Sequence, residues 1–88
     1  MKAKNIILGR RFVKQMDRLP SHIEAKLEKL MNLFQKDPFY PSLRLHKLSG
    51  KLRGQWSISI DRDYRIIFRW LPNGVAMFIS VGTHAIYH

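Results

Sequence analysis

Alternation of apolar and polar side chains between Arg53 and Trp70 is the feature that most constrains the fold of this chain. Alternation with a period of two is typical of a strand that buries one face and exposes the other to water. A polar break at 61–63 separates two such runs, so the segment predicts an antiparallel hairpin. Its apolar side carries Trp56, Ile58, Ile60, Tyr64, Ile66, Phe68 and Trp70, and its opposite side, called the open face below, carries Ser57, Ser59, Arg65, Ile67 and Arg69.

The part of the chain before the hairpin predicts one strand and two helices. A short Ile-rich run over residues 5–8, ended by Gly9, is typical of a strand, and apolar residues at helical spacing from Phe12 to Leu19 predict a short helix that stops at Pro20. Ser21 and Glu24 have the spacing of a capping box at the start of a second helix. The apolar stripe of that helix is Ile23, Leu27, Leu30, Met31 and Phe34.

The remaining segments complete the sheet. Residues 43–48 predict an edge strand or an extended arm, and Asn73-Gly74 predicts a turn before a last strand over 75–81. Alternation in this strand puts Val75, Met77, Ile79 and Val81 toward the core and Ala76, Phe78, Ser80 and His84 on the open face. We therefore expect a single α+β domain over residues 1–88, a two-layer β-α-α-β-β-β fold. Its two N-terminal helices would pack on one face of a mostly antiparallel sheet, leaving Ile67 and Phe78 exposed on the other face.

Charge indicates a polyanionic partner. The chain has 16 Lys and Arg against 6 Asp and Glu, a formal charge of +10 that exceeds what solubility requires. Nucleic acid fits better than a membrane, because no apolar run approaches spanning length and the amphipathic helix needs its apolar face for the sheet. The chain has no cysteine, which excludes disulfides and weakens any zinc hypothesis. We expect no metal and no cofactor, and a cytoplasmic protein, since no secretory h-region is present.

Several residues of the expected open face and its borders could perform RNA chemistry. RNA brings its own nucleophile, because the ribose 2′-hydroxyl can attack the adjacent 3′-phosphate, so the protein need supply only a base, an acid and positive charge at the phosphorane. Each residue taken alone also has a purely structural explanation, such as turn formation for Asp63. The candidate catalytic residues are His46, Asp63, Arg65, His84, Tyr87 and His88, and the candidate RNA-binding residues are Lys47, Lys51, Arg53, Arg62 and Arg69.

The segment HKLSGKLRGQWSISIDRDYRIIFRW together with the terminal ISVGTHAIYH resembles the RelE/ParE superfamily of bacterial toxins, over nearly the whole chain. Within that superfamily it is similar to the RelE and YafQ-like ribosome-dependent mRNA endonucleases. The resemblance implies a toxin of a type II toxin–antitoxin system that cleaves mRNA on the ribosome by metal-independent 2′-hydroxyl attack. Its partners would be a cognate acidic antitoxin, the ribosome and mRNA.

The resemblance also implies roles for individual residues. His46 matches a proton-transfer histidine of the YafQ-like pattern. His84 matches the histidine of that pattern's terminal Gly-Thr-His, which is a candidate general acid, and Asp63 matches its acidic residue in the hairpin. Arg65 resembles the arginine that RelE-like toxins place on the scissile phosphate, and Tyr87 or His88 could orient the substrate base. The chain departs from the RelE-like pattern at Ser57 and Ser59, where that pattern has two lysines, and Ser59 also replaces a histidine of the YafQ-like pattern.

Two other functions remain open at this stage. The superfamily includes ParE-like members that poison DNA gyrase without being nucleases, and fold alone does not separate these from the nucleases. A basic RNA-binding protein without catalysis would explain the charge, but it gives no reason for His46 and His84 to come together.

Overall fold

A computed structural model describes residues 5–87. Seven helices and strands are joined by short turns, several of which form a single turn of 3₁₀ helix. The elements are β1 (Asn5–Leu8), α1 (Arg10–Met16), α2 (Ser21–Lys36), β2 (His46–Lys47), β3 (Trp56–Ser59), β4 (Arg65–Leu71) and β5 (Val75–Gly82), and the 3₁₀ turns are Pro41–Leu43, Gly50–Leu52, Pro72–Gly74 and His84–Tyr87.

The strands form one sheet of five strands in the order β1-β5-β4-β3-β2. Every neighbouring pair is antiparallel except β1 and β5, which run parallel. The two helices carry the chain from β1, at one edge of the sheet, to β2 at the other edge. Both helices pack on the same face of the sheet. The predicted two-layer α+β fold, with a mostly antiparallel sheet and two N-terminal helices on one face, is therefore confirmed.

An aromatic cluster joins α2 to the sheet. Phe34 is fully buried, and its ring centroid lies 5.2 Å from that of Phe68, 5.5 Å from that of Phe78 and 5.7 Å from that of Trp70. Large rings bury the most apolar surface per residue, and tilted or offset pairs at this distance add attraction between the rings. Ile58, Ile66 and Phe68 of β3 and β4 face the helices, as the sequence predicts.

A bulge in β5 makes the predicted facing of that strand wrong over part of its length. Ile67 pairs with Ser80, but the next residue, Phe68, pairs with Phe78, so Ile79 is the extra residue of the bulge. The extra residue shifts the alternation by one, and both Phe78 and Val81 therefore face the helices. Ala76 is likewise buried in the core, whereas Met77 and Ile79, which we expected there, are only partly buried and lie outside the core cluster.

Ile67 lies on the open face, but the expectation that it is exposed is wrong, since it is 1% accessible. The C-terminal turn His84–Tyr87 folds back over this face. Gly82 lies beside Arg65 on the open face, and a Cβ atom added to it would come within 2.7 Å of the Ile86 side chain. Ile67 and Phe78 are both buried, contrary to the exposure that the sequence predicts, so neither can contact a partner.

The predicted capping box at the start of α2 is not formed. Ser21 is the first residue of the helix itself and Pro20 occupies the N-cap position, where no side chain caps the helix. The Pro20 carbonyl instead accepts the first hydrogen bonds, from the Ile23 and Glu24 amides. By contrast the predicted Asn73-Gly74 turn is present, with φ of 66° and 75°.

The aromatic cluster gives a first prediction. Phe34→Ala should lower the free energy of unfolding by about 3–5 kcal/mol, because it removes a buried ring and leaves a cavity among three others. Phe39→Ala is the matched control: that ring is 54% exposed, so a change of about 0.5 kcal/mol or less is expected. Urea denaturation of the two variants measures both values, and equal losses would contradict the packing described here.

Candidate functional site

A cleft of about 690 Å³ opens on the face of the sheet that the helices leave uncovered. Its size suits a nucleotide-sized ligand. The arm between α2 and β3 forms one wall, β3 and β4 form the floor, and the C-terminal turn forms the other wall. The cleft is lined by Arg44, His46, Leu48, Ser49, Lys51, Leu52, Ser57, Ser59, Arg65, His84 and Tyr87.

The register of the strands explains how distant parts of the sequence meet in the cleft. His46 in β2 pairs with Ser57 in β3, and Ser59 pairs with Arg65 in β4. Arg65 in turn pairs with Gly82, the last residue of β5, two residues before His84. Residues paired across a sheet point to the same face, so all of these residues share the open face. β2 and β5 are three strand spacings apart, roughly 14 Å, and His46 on the first and His84 just beyond the second line the same cleft.

Arg65 is held in place at the floor of the cleft. Its Nη1 donates a short hydrogen bond to the Oγ of Ser59, its neighbour across the β3–β4 pair. The side chain is only partly exposed, in contrast to the open rim residues His46 and Lys51. A guanidinium has further N–H groups beyond the one used by Ser59, so it can still bind an anion in two-point geometry.

The C-terminal turn brings a second imidazole and a phenol to the cleft. His84 is exposed, Tyr87 is partly buried, and the two rings lie with their centroids 5.5 Å apart. The absence of a side chain at Gly82 lets Ile86 approach the strand closely, which sets the path of the turn. Gln15 of α1 supports the same end of β5, because its Oε1 accepts the Val81 amide proton at 2.8 Å, beyond the point where β1 ends.

Positive charge in the cleft is not balanced by acidic side chains. Arg44, Lys51 and Arg65 line it, together with the two histidines, and no Asp or Glu is among the residues that do so. An arrangement of this kind attracts a phosphate rather than a cation. Within residues 5–87, no group of three or more His, Asp or Glu side chains is placed to hold a metal ion.

A second, smaller cavity of about 320 Å³, called the side cavity below, adjoins the cleft and shares Arg44, Ser59 and Arg65 with it. Arg44 is a residue that the sequence analysis missed. It follows the 3₁₀ turn Pro41–Leu43 and adopts a left-handed conformation, with φ of 50° and ψ of 51°. The side cavity is lined by Ser42, Arg44, Ser59, Asp61, Arg62 and Arg65.

Asp61 organises the turn between β3 and β4. Its Oδ1 accepts the amide protons of Asp63 and Tyr64, each at 2.9 Å, and its Oδ2 accepts from Lys26 of α2 at 3.3 Å. Desolvation acts to raise the pKa of the Asp61 carboxyl, but the two amides and the Lys26 ammonium outweigh it, and the pKa is lowered. Asp61 therefore fixes the start of β4, where Arg65 lies.

Several residues predicted to act at the site lie elsewhere. Asp63 is exposed in the hairpin turn and Arg53 is exposed before β3, and neither lines the cleft or the side cavity. Lys47 faces away from the cleft, with its Nζ 5.8 Å from the centre of the Trp56 ring, and Arg69 lies exposed toward the far end of β4. Lys51 and Arg62 line the cleft and the side cavity respectively, and His88 lies outside the described residues.

The lowered pKa of Asp61 gives a prediction about stability and pH. A carboxyl whose pKa is lower in the folded state stabilises the fold above its unfolded pKa, and this contribution is lost as the pH falls through the folded pKa. Asp61→Asn should therefore be less stable than the parent protein at neutral pH and equal to it in acid. Thermal unfolding from pH 7 to pH 2 measures this. Asp63→Asn, which removes an exposed carboxyl from the same turn, should show little difference at any pH.

Comparison with known proteins agrees with this architecture. YafQ from E. coli strain BL21(DE3) superimposes with a TM-score of 0.77 and 22% identity, over 93% of this chain and 94% of that one. The YoeB/ParE toxin from Agrobacterium tumefaciens superimposes with a TM-score of 0.75 and 19% identity, over 91% of this chain and 98% of that one. A chain of the toxin–antitoxin complex RelBE2 from Mycobacterium tuberculosis superimposes with a TM-score of 0.75 and 18% identity, over 96% of this chain and 100% of that one. At these identities the likeness concerns the fold.

The family follows from the sequence match. The search of curated protein sequences found no match to the chain. No helix among residues 5–87 is long and apolar enough to cross a membrane. The family model for the RelE-like toxin of the type II toxin–antitoxin system HigB matches residues 4–84, nearly the whole sequence. The chain therefore belongs to the HigB-like family of RelE-like toxins of type II toxin–antitoxin systems.

Proposed function

We propose that this toxin is a ribosome-dependent endoribonuclease that cleaves mRNA by attack of a ribose 2′-hydroxyl on the adjacent phosphodiester. One observation carries the proposal: a single cleft contains His46, His84, Arg65 and Tyr87 without any acidic side chain among its lining residues. Two imidazoles and a guanidinium supply what this reaction requires of a protein, a base, an acid and positive charge. A protein that only bound RNA would need the charge but not two histidines on opposite walls.

The geometry supports a division of roles. Arg65, anchored by Ser59 at the floor, would hold the scissile phosphate between the two walls. His46 would take the proton of the 2′-hydroxyl as its oxygen attacks phosphorus, and His84 would give a proton to the departing 5′-oxygen. The products are then a 2′,3′-cyclic phosphate and a 5′-hydroxyl, and Arg65 would stabilise the negative charge that develops on the phosphorane oxygens.

The remaining lining residues suit binding and orientation of the substrate. Tyr87 presents an aromatic ring beside His84, and aromatic rings stack on nucleobases with little sequence preference. Lys51 and Arg44 lie on the opposite wall, where cations can neutralise the RNA backbone. Binding to the ribosome would bring the mRNA to this open cleft and place the reacting ribose.

A partner of the opposite charge follows from the same surface. We propose that the toxin is kept inactive by its cognate acidic antitoxin, whose acidic segment pairs with the arginines of the cleft. Structures similar to this chain include toxin–antitoxin complexes, among them DinJ–YafQ from E. coli, with a TM-score of 0.75 and 22% identity over 96% of each chain. The excess charge of +10 makes electrostatic association with an acidic partner fast.

The catalytic proposal predicts selective losses of activity. Arg65→Ala and His84→Ala should each lower cleavage of ribosome-bound mRNA by about 10²-fold or more, because both residues act on the reacting phosphodiester. Folding and ribosome binding should be nearly unchanged, since neither residue belongs to the core and each is one of many contacts to the ribosome–mRNA complex. His46→Ala should have a smaller, pH-dependent effect. Primer extension on a translated mRNA measures cleavage, and Arg53→Ala, which removes an exposed cation outside the cleft, is the matched control.

The substrate provides an independent check of the mechanism. An mRNA with 2′-deoxyribose at the cut site should resist cleavage, while cleavage of normal mRNA should persist in EDTA as long as the ribosome stays assembled. Equal cleavage of the deoxy substrate would rule out 2′-hydroxyl attack. Full toxicity of both alanine variants, combined with inhibition of gyrase supercoiling, would instead favour the gyrase poison.

The partner proposal is tested in cells. Expression of the toxin alone should arrest growth, and co-expression of the small acidic protein encoded beside it should restore growth, since neutralised arginines can no longer bind RNA. The restoring complex should dissociate more readily as salt concentration rises. A toxin that remains harmless at high expression would contradict both the activity and the need for a partner.

A further inference from the structure

We propose that the side cavity is a second phosphate site, which binds the phosphodiester next to the scissile one through Arg44 and Arg62. This inference rests on the proposed function, since it names a further contact of the same RNA. It concerns a place that neither catalytic histidine lines. The side cavity would recognise the oxygens of a phosphate group and not a nucleobase.

Guanidinium groups dominate the lining of the side cavity. Arg44, Arg62 and Arg65 account for three of the six residues around it, and Ser42 and Ser59 add hydroxyl donors. Arg44 and Arg62 are exposed, so their charged ends are free to meet a ligand from solvent. Planar guanidiniums match the geometry of phosphate oxygens, and hydroxyls donate to the same oxygens, so the set is suited to an oxyanion.

Asp61 is the one acidic residue of the side cavity, and it is already engaged. Its carboxylate accepts two backbone amides and the Lys26 ammonium, and 22% of the side chain is accessible. The hydrogen bonds hold the turn that carries Arg62, the next residue in the chain. Asp61 therefore positions one of the arginines, and the Lys26 ammonium offsets its charge.

The backbone of Arg44 provides a second observation. A left-handed conformation is uncommon outside glycine and asparagine, and it costs of order 1 kcal/mol or more for a side chain of this kind. Such conformations persist where the surrounding structure holds them, and they concentrate at binding sites. Here the conformation ends the Pro41–Leu43 turn and places Arg44 on the border between the cleft and the side cavity.

The residues shared by the cleft and the side cavity indicate which phosphate of the RNA the side cavity binds. Ser59 and Arg65 line both cavities, and the Ser59–Arg65 hydrogen bond lies on the boundary. If Arg65 holds the scissile phosphate on the cleft side, the space beyond it toward Arg62 is reached by the chain one nucleotide away. The side cavity therefore fits the neighbouring linkage of the same strand, and so gives the RNA a direction across the sheet.

A binding experiment with uncleavable ligands tests this. The ligands are deoxydinucleoside monophosphates of mixed base sequence, alone or with one additional phosphate at the 5′ or 3′ end, and affinity is measured by NMR titration. For the parent protein we expect the additional phosphate at one end to tighten binding by about tenfold, the amount that a charge-assisted hydrogen bond provides. The end that gives the gain defines the direction of the RNA.

The variants make the test specific to the side cavity. Arg44→Ala and Arg62→Ala should each abolish most of that tenfold gain, whereas Arg53→Ala, an exposed cation outside both cavities, should retain it. The ratio of the two affinities is compared within each variant, so a general loss of positive charge cancels. Thermal unfolding and NMR spectra confirm that each variant is folded.

Three outcomes would overturn the inference. They are a parent protein that gains nothing from a phosphate at either end, variants that keep the gain, and a control that loses it as fully as they do. Loss of antitoxin binding in Arg44→Ala and Arg62→Ala with the phosphate gain intact would assign the arginines to the partner protein instead. Because deoxy ligands cannot be cleaved, the result is independent of catalysis: cleavage with no phosphate gain refutes the second site alone, and a gain without cleavage refutes the nuclease alone.

Discussion

The bulge at Ile79 is the constraint on which the candidate site depends. It allows Phe78 and Val81, three positions apart, to face the helices together, which a regular strand could not do. Beyond the bulge, the same shift leaves Ser80 and Gly82 on the open face, next to Ile67 and Arg65. Phe78 before the bulge therefore faces the core, and Gly82 after it lies on the open face. In a regular strand these two residues, four positions apart, would face the same side of the sheet.

The two layers contribute to the site in different ways. The helices and the aromatic cluster bury the apolar face of the sheet, while the walls of the cleft are short segments at the edges of β3 and β4: the arm before β3, which includes β2, and the turn after β5. The central strands β3 and β4 supply Ser59 and Arg65, the two-residue edge strand β2 supplies His46, and the turn after β5 supplies His84. Binding residues carried by such segments on a rigid scaffold are common in proteins, because loops can vary without disturbing the core.

Sequence reasoning succeeded where alternation is regular and failed where a single residue breaks it. The faces of β3 and β4, the Asn73-Gly74 turn and the helix–sheet order all follow from local patterns that the structure retains. A bulge leaves no mark in hydrophobic alternation, because Phe78 and Ile79 are both apolar and either could face the core. Arg44 was missed for a related reason: its position depends on a left-handed residue after a 3₁₀ turn, which no periodicity predicts. The facing of Lys47, in contrast, was available from alternation, since it directly follows His46 in a strand.

Two serines lie on the floor of the cleft, and the positive charge around it comes from other positions. The resemblance described above predicts lysines at Ser57 and Ser59, but position 57 is only 5% accessible, too buried to carry a free charge without a partner. Ser59 instead accepts a hydrogen bond from Arg65 and so restricts that guanidinium to the boundary between the two cavities. The exposed cations lie around it, with Arg44 and Lys51 on the cleft and Arg62 on the side cavity. One fixed arginine therefore lies at the centre of the surface with exposed cations around it. In such an arrangement Arg65 can fix the position of one phosphate, while the exposed cations around it guide the RNA backbone on either side of that phosphate.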